Sequence, residues 1–592
     1  MEKREMILSA LLARTIRDVM QIAPKAVLTR FFGDIITSAA AGLNTYLMAA
    51  LIQLLTKYQE YEDNLKQILL YIALVILLST FSKLVNSFCV NSRVKVESTT
   101  LYRFNIKISE KCHKVPLIRY EEPAFLDSLH RARDCIYHAR LSGISLSLLN
   151  IISELLSVIS ILIVLASFSF YLVPISVLSI LPILIVRLVR GAQFYELRWF
   201  QAAKERKMRY LYSLFNNKNS MKEIRMMDIG DYLQDKWNGV KDESSEEVWA
   251  FKKKDIAHFS FCDLLKVAGY AACIVFVLLM TLRGRLDIGM MSVSIVAFTT
   301  FQSETAYFFV NVARLPEYAA YTKDFYSFLD QEEEDWGAEE CSQWSDIRAE
   351  DISFTYPNAH QPAINHLSLH IKKGETVVIL GENGSGKTTL VMLLLGLFRC
   401  DAGTIRYGDL HLDDINLDSL FRNVSIVPQN FSKYNLSLRE NISVGNMSRL
   451  HDDEDMLQIL KKLKLEELLD ENGPGLDGMM GKEFGGKELS VGQWQKIAIA
   501  RSLFKNCEIN ILDEPTAALD PIIESEILKE FILIAKGKTS IIISHRVGLC
   551  KEADKIIVMK DGAAVECGTH QELMGNAGEY RRLYTAQSQW YT

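Results

Sequence analysis

The chain has 592 residues, which is too long for one hydrophobic core and predicts two or three domains. Its mean hydropathy of +0.08 is high for a soluble protein, whereas 23% charged residues is too many for a protein embedded wholly in a membrane. The net charge of −6 argues against nucleic-acid binding, because such proteins concentrate positive charge. We therefore expect a membrane part, a soluble part and no nucleic-acid partner.

Neither the start of the chain nor its cysteines indicate a processed, disulfide-bonded protein. The first thirty residues mix basic and acidic side chains and lack a cleavable apolar stretch, so no signal peptide is predicted. The ten cysteines are scattered, without a C-x-x-C pair or a histidine at metal-ligand spacing. We expect reduced, buried thiols instead of disulfides or zinc ligands.

Nearly uncharged stretches recur along the first half of the chain. A transmembrane helix needs roughly 20 apolar residues to cross about 30 Å of hydrocarbon. Residues 141–186 contain one charged side chain, Glu154, over enough length for two helices with a turn between Ser167 and Pro174. The sequence therefore predicts six spans: Ile35–Thr56, Gln67–Ser92, two within Leu141–Val186, Val267–Leu282 and Ile288–Ala313.

The charges between the spans predict the topology. Four segments rich in Lys and Arg share one side of the membrane, which the positive-inside rule makes cytoplasmic. These segments are residues 1–30, 91–140, 187–256 and the stretch after Arg314. The connections on the opposite side are short, so we expect the second and third helices, and the fourth and fifth, to extend into the cytoplasm as long hairpins.

Three ionisable residues lie within or at the edge of the fifth and sixth predicted spans: Asp263, Lys266 and Glu304. Counted from the outer loop at ~1.5 Å per residue, Lys266 and Glu304 lie about 24 Å deep, in the inner leaflet. Ionisable groups at that depth commonly face a cavity or a partner, so all three are candidate substrate contacts. The alternative is interfacial snorkelling of Lys266 and a structural Asp263–Lys266 pair.

The composition changes after Leu329. The acidic run Gln331–Asp335 predicts a solvated linker over residues 330–345. This linker separates a predicted transmembrane domain, residues 1–329, from a predicted nucleotide-binding domain, residues 346–592.

An apolar strand in the second domain leads into the pattern G-x-x-x-x-G-K-T. Glycines in such a loop let backbone N–H groups surround a triphosphate, Lys387 can reach the β- and γ-phosphate oxygens, and Thr388 can bind Mg²⁺. The N-terminus of the helix that follows also favours phosphate. The loop therefore predicts a nucleoside triphosphate and Mg²⁺ as ligands. The predicted nucleotide-binding residues of the loop are Gly381, Glu382, Asn383, Gly384, Ser385, Gly386, Lys387, Thr388 and Thr389.

About a hundred residues later the chain reads Leu489-Ser-Val-Gly-Gln493 and then Ile509-Asn-Ile-Leu-Asp-Glu514. This order of motifs resembles the ATP-binding cassette (ABC) family, which implies ATP and Mg²⁺ as the cofactors. The resemblance implies that Glu514 polarises the attacking water, that His545 is the switch histidine on the γ-phosphate, and that Asp513 orders Mg²⁺. Gln429 matches the glutamine that senses both Mg²⁺ and the lytic water.

The resemblance assigns further residues to nucleotide contacts. Tyr356 matches the aromatic residue that stacks on adenine, and Asp520 matches the D-loop. Ser490, Gly492 and Gln493 match the signature motif, which contacts the γ-phosphate held by the opposite cassette.

The signature departs from the family at one position, because it reads Leu-Ser-Val-Gly-Gln where Leu-Ser-Gly-Gly-Gln is usual. Val491 places a β-branched side chain where glycine allows any backbone geometry. If that side chain restricts the backbone that must approach the γ-phosphate, Val491 slows turnover without abolishing activity.

The resemblance also implies an architecture. It predicts a membrane all-α domain of six helices, as in type IV ABC exporters, followed by an α/β P-loop ATPase domain. Residues 120–132 and 222–233 resemble the coupling helices of bacteriocin and lantibiotic exporters, and solvated amphipathic helices are the alternative. A homodimer in the lipid bilayer of a bacterial plasma membrane, with cytoplasmic ATPase domains, is implied.

The transported substrate is predicted from the motif Gly481-Lys-Glu-Phe-Gly-Gly486 and from Trp494. Both are similar to the lantibiotic-exporter branch, so a (modified) peptide carried outward by alternating access is implied. We expect no N-terminal peptidase domain, since the segment before Ile35 is short, so another protein would cut any leader peptide. The alternatives are a lipid or multidrug exporter, an ATP-gated channel, and a soluble-type ABC ATPase, against which the six spans and the acidic balance argue.

Overall fold

The chain forms two compact units in a computed structural model. The first contains Met1–His113 and Leu126–Gln331, and the second contains Lys114–Phe125 and Glu332–Thr592. The short segment Lys114–Phe125 thus belongs with the second unit, although it lies within the first in sequence. The structure describes residues 2–57, 65–137, 139–335, 337–341, 345–469, 473–514, 537–544 and 547–588.

Long helices make up the first unit. In chain order its described helices are α1 (Glu2–Ile22), α2 (Pro24–Lys57), α3 (Leu65–Lys114), α4 (Pro123–Tyr137), α5 (Arg140–Phe168), α6 (Leu172–Asn216), α7 (Lys218–Met226), α8 (Gly230–Leu282) and α9 (Ile288–Leu329).

Each of the six predicted spans falls on one of the helices α2, α3, α5, α6, α8 and α9. Among the described helices, α2, α3, α5 and α8 are long and apolar enough to cross a membrane by length and composition. The apolar part of α6, Leu172–Arg187, is shorter. The predicted span on α9 contains one charged residue, Glu304, and several Ser, Thr and Gln side chains among its hydrophobic residues.

Three of these helices extend well beyond the thickness of a membrane. Helices α3, α6 and α8 have 50, 45 and 53 residues, against the roughly 20 that a span needs. The predicted length is therefore found for the second, fourth and fifth helices, whereas the third, α5, has 29 residues and is preceded by a separate helix, α4. Each predicted coupling segment contains a helix break: residues 120–132 include the end of a 3₁₀ turn (Leu117–Glu121), and residues 222–233 include the end of α7.

The membrane unit is held together by apolar packing and by small residues at helix contacts. Helix α9 packs against α2, α5, α6 and α8. A buried cluster that includes Ile161, Cys273 and Phe298 joins α5, α8 and α9. A Cβ added at Gly269 on α8 would lie 2.4 Å from the Cβ of Ser179 on α6. Small residues of this kind let membrane helices approach closely.

Two sheets form the second unit. One is antiparallel, with strand order β2-β1-β4-β5, and the other has the order β10-β9-β3-β8-β7-β6. The strands are β1 (Ile347–Phe354), β2 (Ile364–Ile371), β3 (Thr376–Gly381), β4 (Ala402–Tyr407), β5 (Leu410–His411), β6 (Val424–Val427), β7 (Ile509–Asp513), β8 (Thr539–Ile543), β9 (Lys555–Lys560) and β10 (Ala563–Gly568). The described α-helices are α10 (Lys387–Leu394), α11 (Leu417–Asn423), α12 (Leu438–Ser443), α13 (Asp453–Lys462), α14 (Val491–Lys505), α15 (His570–Gly575) and α16 (Glu579–Ser588).

The topology of the larger sheet places the ends of three strands together. Strands β3, β8 and β7 are neighbours and run parallel, so their carboxyl ends meet at one edge. The residues that follow β3 and β7 are the loop before Lys387 and the acidic residue Glu514. In open α/β sheets, ligands bind at this edge.

None of the ten cysteines forms a disulfide bond, and the predicted burial is confirmed for seven of them. Burial raises the pKa of Cys550, in the ATPase unit, to about 12. A buried thiolate is disfavoured, so this thiol stays protonated.

A candidate ATP-hydrolysis site

The phosphate-binding loop connects the carboxyl end of β3 to the N-terminus of α10. Gly386 immediately precedes the helix with a φ of 97°, a conformation that side chains rarely adopt. A Cβ added at Gly386 would lie 2.5 Å from the carbonyl oxygen of Ala363, so both the backbone angle and the space require glycine. The loop thereby brings backbone N–H groups and the start of a helix together, an arrangement that binds phosphate.

Two polar side chains point into this loop region. Lys387 is 6% exposed, and its Nζ donates hydrogen bonds to the carbonyl oxygens of Gly381 and Glu382 at 3.0 and 2.9 Å. Burial lowers the pKa of Lys387, and two nearby carboxylates partly oppose that effect. The Ser385 hydroxyl is buried and makes no hydrogen bond to a described residue. A buried ammonium and a buried hydroxyl of this kind fit the oxygens of a phosphate group.

Two acidic residues follow one another at the end of β7. Asp513 is the last residue of the strand and is 2% exposed. Glu514 has a φ of 46°, and its N–H donates to the carbonyl oxygen of Ile543 at 3.0 Å. Gln429 Nε2 donates to Glu514 Oε2 at 2.8 Å. Both carboxylates act electrostatically on Lys387, so the structure brings these four predicted site residues together.

Tyr356 lies beside the start of α10. Its hydroxyl is 3.1 Å from the hydroxyl of Thr389. Its half-buried ring packs edge-to-face on Phe354 and Phe398, with centroid distances of 5.1 and 5.8 Å. Thr388, the predicted Mg²⁺ ligand next to Thr389, is exposed. The predicted adenine-stacking residue is therefore held in place by the same helix that carries the phosphate-binding residues.

The predicted signature residues form the N-terminal cap of α14. Ser490 Oγ accepts a hydrogen bond from the Gln493 N–H at 3.2 Å, and Gln493 Oε1 accepts one from the Ser490 N–H at 2.8 Å. Gln493 Nε2 also donates to Glu467 Oε1 at 2.6 Å. This capping box fixes the start of α14, and Gly492 lies in the first turn of that helix. The hydrogen bonds found for Ser490 and Gln493 thus stay within this segment and its neighbour Glu467.

Val491 does not occupy a position that requires glycine. It is the first residue of α14, its φ is not positive, and it is 53% exposed. A β-branched residue adopts helical angles with only a small loss of side-chain freedom. The premise that Val491 restricts the backbone is therefore not supported by the structure. Trp494, by contrast, is 3% exposed and belongs to the apolar core, so its place here is structural.

Two predicted site residues, Asp520 and His545, lie outside the described residues. The chain just before His545 is described: the Ser544 N–H donates to the carbonyl oxygen of Ile379 at 3.3 Å. The backbone that leads to the predicted switch histidine therefore runs beside the strand that ends in the phosphate-binding loop.

The three predicted substrate contacts lie in the membrane unit. Asp263 is exposed, whereas Lys266 and Glu304 are half-buried. No ion pair joins Asp263 to Lys266, although both are in the described part of the chain, so the alternative of a structural pair is not observed. Asp263 instead lies within electrostatic range of Arg187 on α6.

Sequence reasoning assigned no role to two further carboxylates in the membrane unit. Asn311 Nδ2 donates to both carboxylate oxygens of Glu154, at 2.8 and 3.1 Å, and thereby joins α9 to α5. Asp34, which is 5% exposed, forms an ion pair with Arg30 at 2.8 Å. The signal was present in the sequence, because Glu154 is the single charge in residues 141–186 and ionisable groups in spans commonly have partners.

Comparisons with known proteins give one consistent result. A family model described as ABC transporter matches residues 364–517. The subtilin transport ATP-binding protein SpaT of Bacillus subtilis is 29% identical over 560 residues, which is 93% of this chain and 90% of that protein. The nisin transport ATP-binding protein NisT of Lactococcus lactis subsp. lactis is 30% identical over 504 residues, 83% of each chain.

The fold has a solved counterpart. The structure of a bacterial Atm1-family ABC exporter with ATP bound matches with a TM-score of 0.76 at 18% identity. The match covers 94% of this chain and 98% of that one. The predicted fold class, a six-helix membrane domain followed by an α/β P-loop ATPase domain, is thereby confirmed.

Proposed function

Because this chain belongs to the ABC transporter family, we propose that it is one half of a homodimeric exporter whose cargo is a peptide. The chain is a multi-pass membrane protein with a cytoplasmic ATPase domain, and it couples ATP hydrolysis to transport. The similarity to subtilin and nisin transport proteins along most of the chain carries the peptide assignment. The cargo of an exporter binds to its membrane domain. Sequence similarity to peptide transport proteins that includes this domain therefore supports a peptide cargo.

The phosphate-binding loop and β7 supply the groups that hold the nucleotide. Backbone N–H groups of the loop and Lys387 Nζ bind the β- and γ-phosphates, and the Tyr356 ring takes the adenine. Thr388, Gln429 and Asp513 would hold Mg²⁺, which neutralises charge on the phosphate oxygens. The loop geometry, the buried Ser385 hydroxyl and the paired acidic residues support this assignment.

Glu514 is proposed as the residue that takes the proton from the attacking water. Its carboxylate is oriented by Gln429 at 2.8 Å, and its backbone is held by Ile543. Phosphoryl transfer goes through a loose transition state, so positioning of water and neutralisation of charge supply most of the catalysis. His545 is proposed to contact the γ-phosphate.

A second copy of the chain is proposed to complete each ATP site. Ser490, Gly492 and Gln493 of one copy would contact the γ-phosphate bound by the other, with Asp520 at the same interface. Ser490 and Gln493 support this role because their capping box orders the N-terminus of α14, where unpaired N–H groups favour phosphate. Since each chain carries all of these residues, both sites of a homodimer are competent.

The cargo site is proposed to include Glu304. This half-buried carboxylate lies on α9, which contacts five other described helices of the unit, and its charge acts on Glu154. Two carboxylates in a medium of low dielectric favour a cationic partner. A peptide with Lys or Arg side chains has that chemistry. Lys266 and Asp263 are proposed as further contacts at the cytoplasmic end.

Transport into vesicles tests the proposed cargo. The full-length chain is reconstituted so that its ATPase domain faces outward, and ATP-dependent accumulation of a labelled cationic peptide is measured. Glu514→Gln serves as the control that has the same membrane domain without hydrolysis. We expect ATP hydrolysis and peptide accumulation to rise together in the wild type only. Stimulation by lipids or neutral drugs, with none by any peptide, would exclude the peptide assignment.

A further inference from the structure

The last described helix, α16, is anchored to the ATPase unit by contacts away from the phosphate-binding loop. The Glu566 carboxylate, on β10, accepts hydrogen bonds from the N–H groups of Glu579 and Tyr580 at 2.6 and 3.0 Å. Tyr580 is fully buried, and its hydroxyl is 2.6 Å from His570 Nδ1. A carboxylate at a helix N-terminus satisfies its unpaired N–H groups, so the start of α16 is fixed relative to the sheet.

From this anchor, α16 reaches the phosphate-binding loop through Arg582. The Arg582 guanidinium is shared by two carboxylates: its Nη2 donates to Glu382 Oε1 at 2.5 Å, and its Nε donates to Glu579 Oε2 within α16 at 3.0 Å. Glu382 is also the residue whose carbonyl oxygen accepts a hydrogen bond from Lys387. The side chains of Arg582 and Glu382 are 55% and 64% exposed, so their ion pair adds little to global stability. Its local effect is to balance a negative charge in a loop that binds phosphate.

A second contact reaches the segment after the predicted switch histidine. Gln587 Oε1 accepts a hydrogen bond from the Val547 N–H at 3.1 Å. Val547 follows His545 by two positions and begins a short 3₁₀ turn, Val547–Lys551. The contact therefore holds the start of this turn against α16.

A cavity lies between α16 and the phosphate-binding loop, next to the contacts made by Arg582 and Gln587. It has a volume of about 250 Å³ and is lined by Leu380, Glu382, Val547, Leu583 and Gln587, among others. Tyr580 and Leu583 pack α16 on the apolar core that contains Leu380 and Val547, but beside the cavity its position relative to the loop also depends on side-chain contacts across the gap. Arg582 and Gln587 make contacts of this kind.

We propose that α16 is a positioning element with two separable effects on ATP hydrolysis. Through Glu382, Arg582 sets the affinity of the loop for the phosphates that ATP and ADP share. Through Val547, Gln587 holds the start of the turn that follows His545 and thereby sets turnover, an effect that rests on the proposed role of His545. Neither side chain touches the reacting atoms, so both are positioning residues.

Steady-state kinetics of the purified full-length chain in detergent test the role of Gln587. Gln587→Leu removes the acceptor at similar volume, whereas Gln587→Glu keeps it. The loss of one hydrogen bond corresponds to about a two- to tenfold decrease in rate. We expect Gln587→Leu to lower kcat by this factor and to leave the inhibition constant of ADP unchanged. We expect Gln587→Glu to retain the wild-type kcat. If Gln587→Leu is not recovered folded, Gln587→Met carries the same expectation.

The role of Arg582 is tested by Arg582→Met against Arg582→Lys. Loss of the positive charge should raise the KM for ATP and the inhibition constant for ADP together, by about two- to fivefold, with kcat unchanged. The difference should shrink in high salt, because exposed charges are screened. Arg582→Lys should restore most of the affinity.

Three outcomes would overturn the proposal. In the first, the variants lower the thermal unfolding midpoint but leave kcat, KM and the ADP constant unchanged, so that α16 is only structural. In the second, Gln587→Glu is as slow as Gln587→Leu, so that the accepted hydrogen bond is not the cause. In the third, Gln587→Leu weakens ADP binding as much as Arg582→Met does, so that the two effects are not separable.

Discussion

Replacement of Glu514 by Gln tests the proposed chemistry with little change to the structure. The amide has nearly the volume of the carboxylate, and its carbonyl oxygen can still accept the hydrogen bond from Gln429 Nε2. The backbone contact to Ile543 does not involve the side chain and is kept. The side chain of the variant therefore differs from that of the wild type mainly in that it cannot accept a proton from water. General-base catalysis contributes about 10²–10⁴ in rate, which corresponds to roughly 3–5 kcal/mol of barrier.

The assay is phosphate release at saturating ATP by the full-length protein in vesicles, with ATP binding measured on the same preparation. Glu514→Gln should bind ATP as the wild type does, remain in the ATP-closed form and lose about 10²–10⁴ of turnover. Glu514→Asp is the matched control, since it keeps a carboxylate but withdraws it by one methylene, and it should fall between the two. Turnover of Glu514→Gln near the wild-type rate would remove Glu514 from the mechanism.

Three further predictions concern other residues. Lys387→Ala should weaken ATP and ADP binding by about 10- to 100-fold in equilibrium binding, because it deletes charge-assisted hydrogen bonds; unchanged affinity would contradict the assignment. Val491→Gly should leave the ATPase rate unchanged or lower it, since Val491 is helical and exposed, and a several-fold increase would show that valine does restrict the signature. Glu304→Gln should abolish stimulation by a cationic peptide while the basal rate is kept. Stimulation that survives Glu304→Gln would discard the residue but not the peptide.

The phosphate-binding loop could be predicted residue by residue because its chemistry dictates its sequence. Gly386 must adopt a positive φ beside Ala363, and no other residue type fits that space. Strand β7 and the two acidic residues at its end could be predicted for the same reason. Few sites other than a phosphate site require an apolar strand that leads into two consecutive carboxylates. The order of the motifs then identified the fold class.

Other features depend on three-dimensional contacts that a pattern does not contain. The backbone angles of Val491 follow from its place in a capping box, not from the identity of the residue that the family usually has there. Glu154 and Asn311 are 157 residues apart, so their hydrogen bond could not be read from spacing. Trp494 could have been a marker of cargo class or a core residue, and its burial in the apolar cluster decides for the core.

The conformation of Glu514 offers a test that separates strain from chemistry. Its φ of 46° is left-handed, a region that costs most residues about 1–2 kcal/mol but that Asn tolerates. Glu514→Asn and Glu514→Ala both remove the catalytic base and the carboxylate oxygen that accepts the hydrogen bond from Gln429. The two variants therefore differ mainly in how well residue 514 adopts the left-handed conformation. Both should lose turnover, whereas Glu514→Asn should have the higher thermal unfolding midpoint in the full-length chain. Equal midpoints would mean that the ATPase unit relaxes around position 514, and that the strand pairing to Ile543 does not hold this residue in a strained conformation.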